Sequence, residues 1–109
     1  MGPAVERKIG LSAMSTLAIN AKKWYSPEWA YEKGLFAEIF ESTNEMDSAI
    51  EKFALELSIS SMEAISQLKK TFWEGTEHWE KLLIDRAEIS GSLILSDFSK
   101  KMIQDLQNK

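Results

Sequence analysis

The chain has 109 residues, of which 44% are hydrophobic and 28% charged, so it is long enough for one domain with a modest core. Its net charge is -4 and its basic residues are scattered, so it offers no cationic stripe and nucleic-acid binding is not expected. Disulfides, thiolate catalysis and cysteine-ligated metals are excluded because the chain has no cysteine. The N-terminus lacks the apolar core of a secretory signal peptide, and the sequence has no run of about 20 apolar residues. We therefore predict a cytoplasmic protein without a membrane span.

The chain opens with two predicted short helices. Pro3 suits a first helical position, because the N–H that proline lacks would have no intrahelical partner there. This brief helix should end at Gly10. Ser12 is a plausible cap for a second helix over residues 13–21, where apolar residues recur at helical spacing.

The third predicted helix has both a start and a stop signal. Ser26 can cap it, Pro27 occupies its first position, and Gly34 can adopt the left-handed conformation that ends it. Residues 35–40 then alternate apolar and other side chains in the manner of a short extended segment. The chain offers no obvious second strand to pair with this segment.

Two further helices are predicted in the middle of the chain. After a polar turn at 41–45, an apolar stripe indicates an amphipathic helix that begins around 46–47. Ser60 and Glu63 have the spacing of a capping box for the next helix, and Gly75 should stop it.

The last two predicted helices cover the remaining residues. Thr76 can cap a long helix that runs to about Leu95, in which Gly91 costs about 1 kcal/mol relative to alanine unless another backbone approaches closely. Ser96 or Asp97 should cap the terminal helix.

These elements predict a mainly α fold. We expect a small multi-helix domain of about six helices, with at most one short extended segment, over residues 1–109. No repeat, low-complexity linker or domain boundary interrupts it.

Catalytic residues are hard to find in this chain. His78 is the single histidine, and its place in a helical first turn indicates a partly exposed structural residue rather than a base or a metal ligand. The carboxylates that could form acid–base pairs all have an ordinary interpretation on solvated helix faces. They are Glu6, Glu28, Glu32, Glu77, Glu80 and Glu88.

Tryptophan is frequent for a chain of this length. Large aromatic side chains mark either a core or a surface that binds a partner, and the sequence leaves both interpretations open. The four residues are Trp24, Trp29, Trp73 and Trp79.

Several segments in order resemble the C-terminal part of the enoyl-CoA hydratase/isomerase, or crotonase, superfamily. Residues 2–10 resemble the segment after the second catalytic loop of those enzymes. Residues 26–40 resemble their helix-to-strand passage S-x-E-x-A-x-x-x-G-L-V, here ending in phenylalanine. Ser61 to Ala64, followed by Lys69, resembles P-x-A…K, and the long helix follows Glu74-Gly75 as in the family.

The resemblance implies the C-terminal part of a crotonase-like fold. Such a region covers the active site, builds a homo-oligomer contact and helps hold the coenzyme A thioester, the substrate of the parent enzyme, which needs no other cofactor. The catalytic spiral core is then an upstream partner outside this sequence, and the chain alone should be inactive. Glu6 stands where relatives usually have an apolar or neutral residue, so we assign it no catalytic role.

Two residues near the end carry the implied coenzyme A contact. Leu106 and Lys109 resemble a terminal aromatic and a lysine that meet coenzyme A in relatives, with leucine in place of the aromatic. The lysine would offer a cation to a phosphate. The residues themselves also fit a second interpretation, in which Lys109 is a solvated side chain at a frayed terminus.

A different class of function is open as well. The chain could be an independent helical interaction module that binds another protein through its tryptophan-bearing face.

Overall fold

The computed structural model describes residues 2–109, and within them every regular element is an α-helix. The mainly α prediction with about six helices is therefore confirmed. The elements are α1 (Gly2–Ile19), α2 (Pro27–Glu32), α3 (Thr43–Ser58), α4 (Met62–Phe72), α5 (Trp79–Ile94) and α6 (Asp97–Gln107).

A glycine breaks α1 into two helical halves, as the sequence predicts. Gly10 has φ 80° and ψ 163°, which no helical residue adopts. Pro3 is buried in the first turn, where its missing N–H costs no hydrogen bond. The second half ends at Ile19, two residues before the predicted end.

Helix α2 begins at its predicted cap. The Ser26 hydroxyl oxygen accepts a hydrogen bond from the Trp29 N–H at 3.1 Å, and Pro27 occupies the first helical position. This bond satisfies one of the N–H groups that the first helical turn leaves without an intrahelical partner.

Helix α2 ends in a Schellman motif, which also confirms the prediction at Gly34. Gly34 has φ 81°, and its N–H donates to the Tyr31 carbonyl at 3.0 Å. The Leu35 N–H donates to the Ala30 carbonyl at 2.8 Å, so the two bonds have the pattern of this cap. A Cβ atom on Gly34 would lie 3.7 Å from the Lys8 carbonyl oxygen, so the turn packs against the first half of α1.

The alternating segment after Gly34 forms no strand. Residues 36–40 are irregular, and the Phe36 N–H also bonds to the Ala30 carbonyl, at 3.2 Å. The physical reason is that no second strand is present over residues 2–109 to supply a pairing edge.

Helix α3 begins earlier than the sequence predicts. Its cap is Ser42, whose hydroxyl oxygen accepts from the Glu45 N–H at 3.2 Å. The Glu45 carboxylate in turn accepts from the Glu41 N–H at 3.2 Å. The polar residues 41–45 are therefore a helix cap and first turn, and the predicted start at 46–47 is wrong.

Helix α4 uses a different cap from the predicted one. The Ser61 hydroxyl oxygen accepts from the Ala64 N–H at 3.2 Å. The Ser60 hydroxyl instead donates to the Glu56 carbonyl at 2.8 Å and so closes the end of α3. Gly75, with φ 80°, follows the end of α4 as predicted.

Helix α5 lacks the predicted threonine cap. The Thr76 hydroxyl donates to the Trp73 carbonyl at 2.7 Å, so it satisfies the end of α4 rather than the start of α5. The helix starts at Trp79, and His78 at the cap position makes no side-chain capping bond.

Helix α6 is joined to α5 by a short polar junction. The Ser96 hydroxyl oxygen accepts from the Ser99 N–H at 3.3 Å, which confirms Ser96 as the cap. The Ser99 hydroxyl donates to the Leu93 carbonyl at 2.9 Å, so the first turn of α6 also satisfies the end of α5.

The chain divides into two compact units, of which the first ends at Ile65 and the second is Ser66–Lys109. In the first unit, Pro3, Ala13 and Ala30 are buried. Every residue of the second unit is half-buried or exposed. The helices therefore present apolar faces that their own unit does not cover, and the single domain over 1–109 stays a prediction.

Candidate functional site

An open apolar groove of about 1150 Å³ lies in the first unit, which we call the α3 groove. One wall is the irregular segment at 35–42, and the other is one face of α3. The α3 residues that line it include Met46, Ala49, Ile50 and Phe53, which recur at the spacing of a single helix face. The facing wall contributes Leu35, Phe36, Ile39 and Phe40.

The aromatic and aliphatic side chains of the α3 groove are open to solvent. Phe53 is 61% exposed and Ile50 is 55% exposed, while Phe36 on the opposite wall is 47% exposed. Soluble monomers rarely leave contiguous apolar surface uncovered, so such patches mark surfaces that contact a ligand or another protein.

The stretch of chain that forms the α3 groove is acidic, and three of its carboxylates, those of Glu38, Glu41 and Glu56, line the groove. Between residues 35 and 60 the chain has six carboxylates and one base, Lys52, a formal net charge of -5. The whole chain carries -4, so the remaining residues sum to +1 and the negative charge is concentrated here. The six carboxylates are Glu38, Glu41, Glu45, Asp47, Glu51 and Glu56.

A second, smaller groove of about 470 Å³ in the same unit is lined by aromatic residues that follow α1. The rings of Tyr25 and Trp29 are tilted at 42° with centroids 4.5 Å apart, and Lys23 Nζ lies 5.0 Å from the Tyr25 centroid. The Tyr25 hydroxyl donates to the Thr16 carbonyl at 3.0 Å. Trp24 beside them is 97% exposed.

In the second unit two tryptophans meet across the turn between α4 and α5. Trp73 and Trp79 are arranged edge to face, with centroids 5.6 Å apart and planes at 81°. Trp79 is half-buried, whereas Trp73 is 47% exposed. Neither Trp24 nor Trp73 is a core residue of the unit that contains it, which favours a partner surface for these two.

The structure places the two predicted coenzyme A contacts at the end of α6. Leu106 is 67% exposed, and the Lys109 N–H donates to the Leu106 carbonyl at 3.4 Å. The two residues therefore lie within one turn of each other, with both side chains accessible. The role in coenzyme A binding stays a prediction.

The other candidates take ordinary positions. His78 is exposed before α5, and Glu6 is half-buried in α1. Within residues 2–109, no group of three histidine, aspartate or glutamate side chains is arranged to hold a metal ion. None of the helices in that range combines the length and apolar character needed to cross a membrane.

No protein-family model, curated protein or solved structure matches this chain. The likeness to the crotonase superfamily therefore rests on the sequence segments given above.

Proposed function

We propose that the chain is the helical, oligomerisation and coenzyme A-covering region of an enoyl-CoA hydratase/isomerase that acts in acyl-CoA metabolism. The observation that carries this proposal is the exposure of large apolar side chains on helix faces. A region that docks on a catalytic core and on neighbouring subunits needs such faces, because burial of their area stabilises the assembly. In the second unit, exposed members are Leu68, Phe72, Leu83, Ile89, Leu93 and Phe98.

The positions of the family-like segments support the proposal. The segment at 2–10 ends at the break in α1, and the segment at 26–40 contains α2 with its Schellman motif. Ser61 caps α4, and Gly75 follows that helix with a positive φ. The residues that carry the resemblance thus lie at helix starts and helix ends. The family-like segments therefore follow one another in the same order as the helices that they bound.

The chain itself would bind and cover the substrate rather than transform it. In this role the Lys109 ammonium would meet a phosphate of coenzyme A, and Leu106 would offer an apolar contact beside it. The oxyanion donors and the acid–base carboxylates would belong to the catalytic core.

Titration with coenzyme A, followed by NMR chemical shifts of the backbone amides, tests the proposal. We expect weak binding, with a dissociation constant of about 1 mM, and shifts centred on the end of α6. Lys109→Ala should weaken binding about threefold, because an exposed ion pair contributes little. Lys81→Ala, an exposed lysine in α5, is the matched control and should leave the affinity unchanged. Absence of shifts, or equal effects of both variants, would contradict a role in coenzyme A binding.

An assay of crotonyl-CoA hydration tests where the chemistry lies. We expect no turnover by this chain. Turnover that Glu6→Gln abolished would place catalysis in α1 and overturn the assignment of the chain to a covering region.

The second candidate function is an independent helical interaction module. The 97% exposure of Trp24 favours it, since tryptophan is enriched at the centres of protein interfaces. The genomic reading frame separates the two functions. In-frame upstream codons for an oxyanion loop and one or two glutamates would support the enzyme region. A stop codon directly before a true start would support the module.

A further inference from the structure

We infer that the α3 groove binds a basic amphipathic helix of a partner protein. This inference is independent of the proposed enzyme function, because it concerns the groove between residues 35–42 and α3 and uses neither Leu106 nor Lys109.

The dimensions of the groove fit a short helix. Beyond Thr43 at its first position, the lining residues of α3 extend from Met46 to Glu56, which corresponds to about 15 Å at the rise of an α-helix. A partner helix of about three turns has the same length. Its apolar residues at positions i, i+3, i+4 and i+7 would lie along this face, as in other complexes in which an amphipathic helix occupies a groove.

The lining of the groove supplies apolar contacts for such a helix. Phe53 and Ile50 project from α3, and Phe36, Ile39 and Phe40 face them from the irregular segment. All five side chains are exposed in the chain itself. This combination of three aromatic and two aliphatic side chains resembles the centre of a protein interface, where aromatic residues are enriched.

Charge determines which kind of helix fits. Glu38 and Glu41 lie on the irregular wall, and Glu56 and Lys52 lie on α3, so the lining of the groove includes three carboxylates and one ammonium. Lysine and arginine side chains flanking the apolar stripe of a partner helix would meet these carboxylates. Such complementarity raises the rate of association and disfavours acidic partners.

The same charge argument disfavours a second copy of this chain as the occupant. Apart from α3, no helix within residues 2–109 has a formal charge above +1, so the chain has no strongly basic helix to offer. The amphipathic helix α6 carries two aspartates and two lysines and is formally neutral. A partner protein with a basic amphipathic segment is the better match.

A pair of synthetic peptides tests this inference on the full chain. The first is an 18-residue amphipathic helix, about 27 Å long, built from leucine and lysine, and the second replaces every lysine with glutamate. Fluorescence anisotropy of labelled peptides gives both affinities. We expect the lysine peptide to bind at least about tenfold more tightly, with a difference that shrinks as salt screens the charges.

Substitutions in the groove then locate the site. Phe53→Ser should weaken binding of the lysine peptide about tenfold, because it removes a central apolar contact. Glu56→Lys should weaken it about fivefold, and Lys52→Glu should strengthen it. Leu55→Ser is the matched control, because Leu55 lies in the same helix and is comparably accessible, at 69% against 61% for Phe53, but does not line the groove. Circular dichroism of each variant checks that its helices are retained.

Three outcomes would overturn the inference. Equal affinity for the two peptides would remove the charge argument, and equal weakening by Phe53→Ser and Leu55→Ser would show that binding is not confined to the groove. Sedimentation of the unliganded chain as a dimer that Phe53→Ser dissociates would identify a second copy as the occupant. Loss of coenzyme A binding in a Lys109 variant would leave the peptide results unchanged, so failures of the two proposals are distinguishable.

Discussion

The indole rings of Trp73 and Trp79 lie edge to face across the turn between α4 and α5, with centroids 5.6 Å apart. In this geometry the positive edge of one ring meets the negative face of the other, which contributes beyond the burial of area. The pair connects two helices at a turn where the hydroxyl of Thr76 is already used to satisfy the end of α4. Stability of this turn should therefore depend on the two rings.

A double-mutant cycle measures the interaction between these rings. Trp73→Ala and Trp79→Ala should show a coupling of about 1 kcal/mol in the free energy of unfolding. Urea denaturation followed by circular dichroism provides the values. Trp24→Ala, at a side chain that is 97% exposed, should change stability by less than about 0.5 kcal/mol. Additive effects of the first two substitutions would contradict a direct contact.

Two glycines should respond to alanine with opposite signs. Gly34 has φ 81°, where a Cβ atom strains the backbone, so Gly34→Ala should cost about 1 kcal/mol. Gly91 lies in α5 with nothing within 4 Å of the position of a Cβ atom, so Gly91→Ala should stabilise the chain by about 1 kcal/mol. Thermal unfolding measures both. A shift of the same sign for the two variants would be inconsistent with these backbone conformations.

The two adjacent serines before α4 should differ in their effect on stability. Ser61→Ala removes the acceptor for the Ala64 N–H and should cost about 1 kcal/mol. Ser60→Ala removes a hydroxyl donor to the Glu56 carbonyl at an exposed helix end, where water can replace it, and should cost less. Chemical denaturation of both variants decides between the two caps, and a larger loss for Ser60→Ala would favour the cap that the sequence predicts.

We expect the chain to self-associate through its exposed apolar helix faces. The junction of α5 and α6 leaves Leu93, Ile94, Leu95 and Phe98 accessible, so we expect the average mass from light scattering to rise with concentration. The double variant Leu95→Ser/Phe98→Ser should reduce this increase. A strictly monomeric chain at high concentration would argue against an oligomerisation surface at this junction.

Helix boundaries were predictable from the sequence wherever few residues could act as the cap or the stop. Ser26 and Gly34 act where the sequence predicts, because Pro27 follows the serine and a glycine is the residue best suited to end a helix at positive φ. For α6 the sequence left Ser96 and Asp97 open, and Ser96 is the cap. The break at Gly10 follows from the freedom of glycine at positive φ.

The errors arose where neighbouring residues compete for the same role. Ser60 and Ser61 are adjacent. The Ser60 hydroxyl donates to the Glu56 carbonyl at the end of α3, and the Ser61 hydroxyl oxygen caps α4 by accepting from the Ala64 N–H. Ser42 and Glu45 already have the spacing of a capping box, and this signal could have placed the start of α3 correctly.

The α3 groove was only partly predictable. The apolar stripe that includes Ile50 and Phe53 indicates an amphipathic helix, but periodicity alone does not tell what faces it. The alternation over 35–40 predicts an extended wall, whereas the absence of a pairing edge over residues 2–109 makes that wall irregular. The concentration of carboxylates between 35 and 60 was available from the sequence and becomes meaningful once the groove between them is known.

Because Trp24 is exposed, its fluorescence should respond to contacts made at its surface. A fully hydrated indole emits at long wavelength and is accessible to dissolved quenchers, so any molecule that covers it should shift its emission to shorter wavelength and reduce quenching. The ammonium of Lys23 next to it would concentrate iodide and repel caesium, so the ratio of the two quenching constants reports the local charge. Trp24 lines the smaller groove and is the most exposed of the four tryptophans, so it should dominate the emission that quenchers reach, and contacts at that surface can be followed without a label.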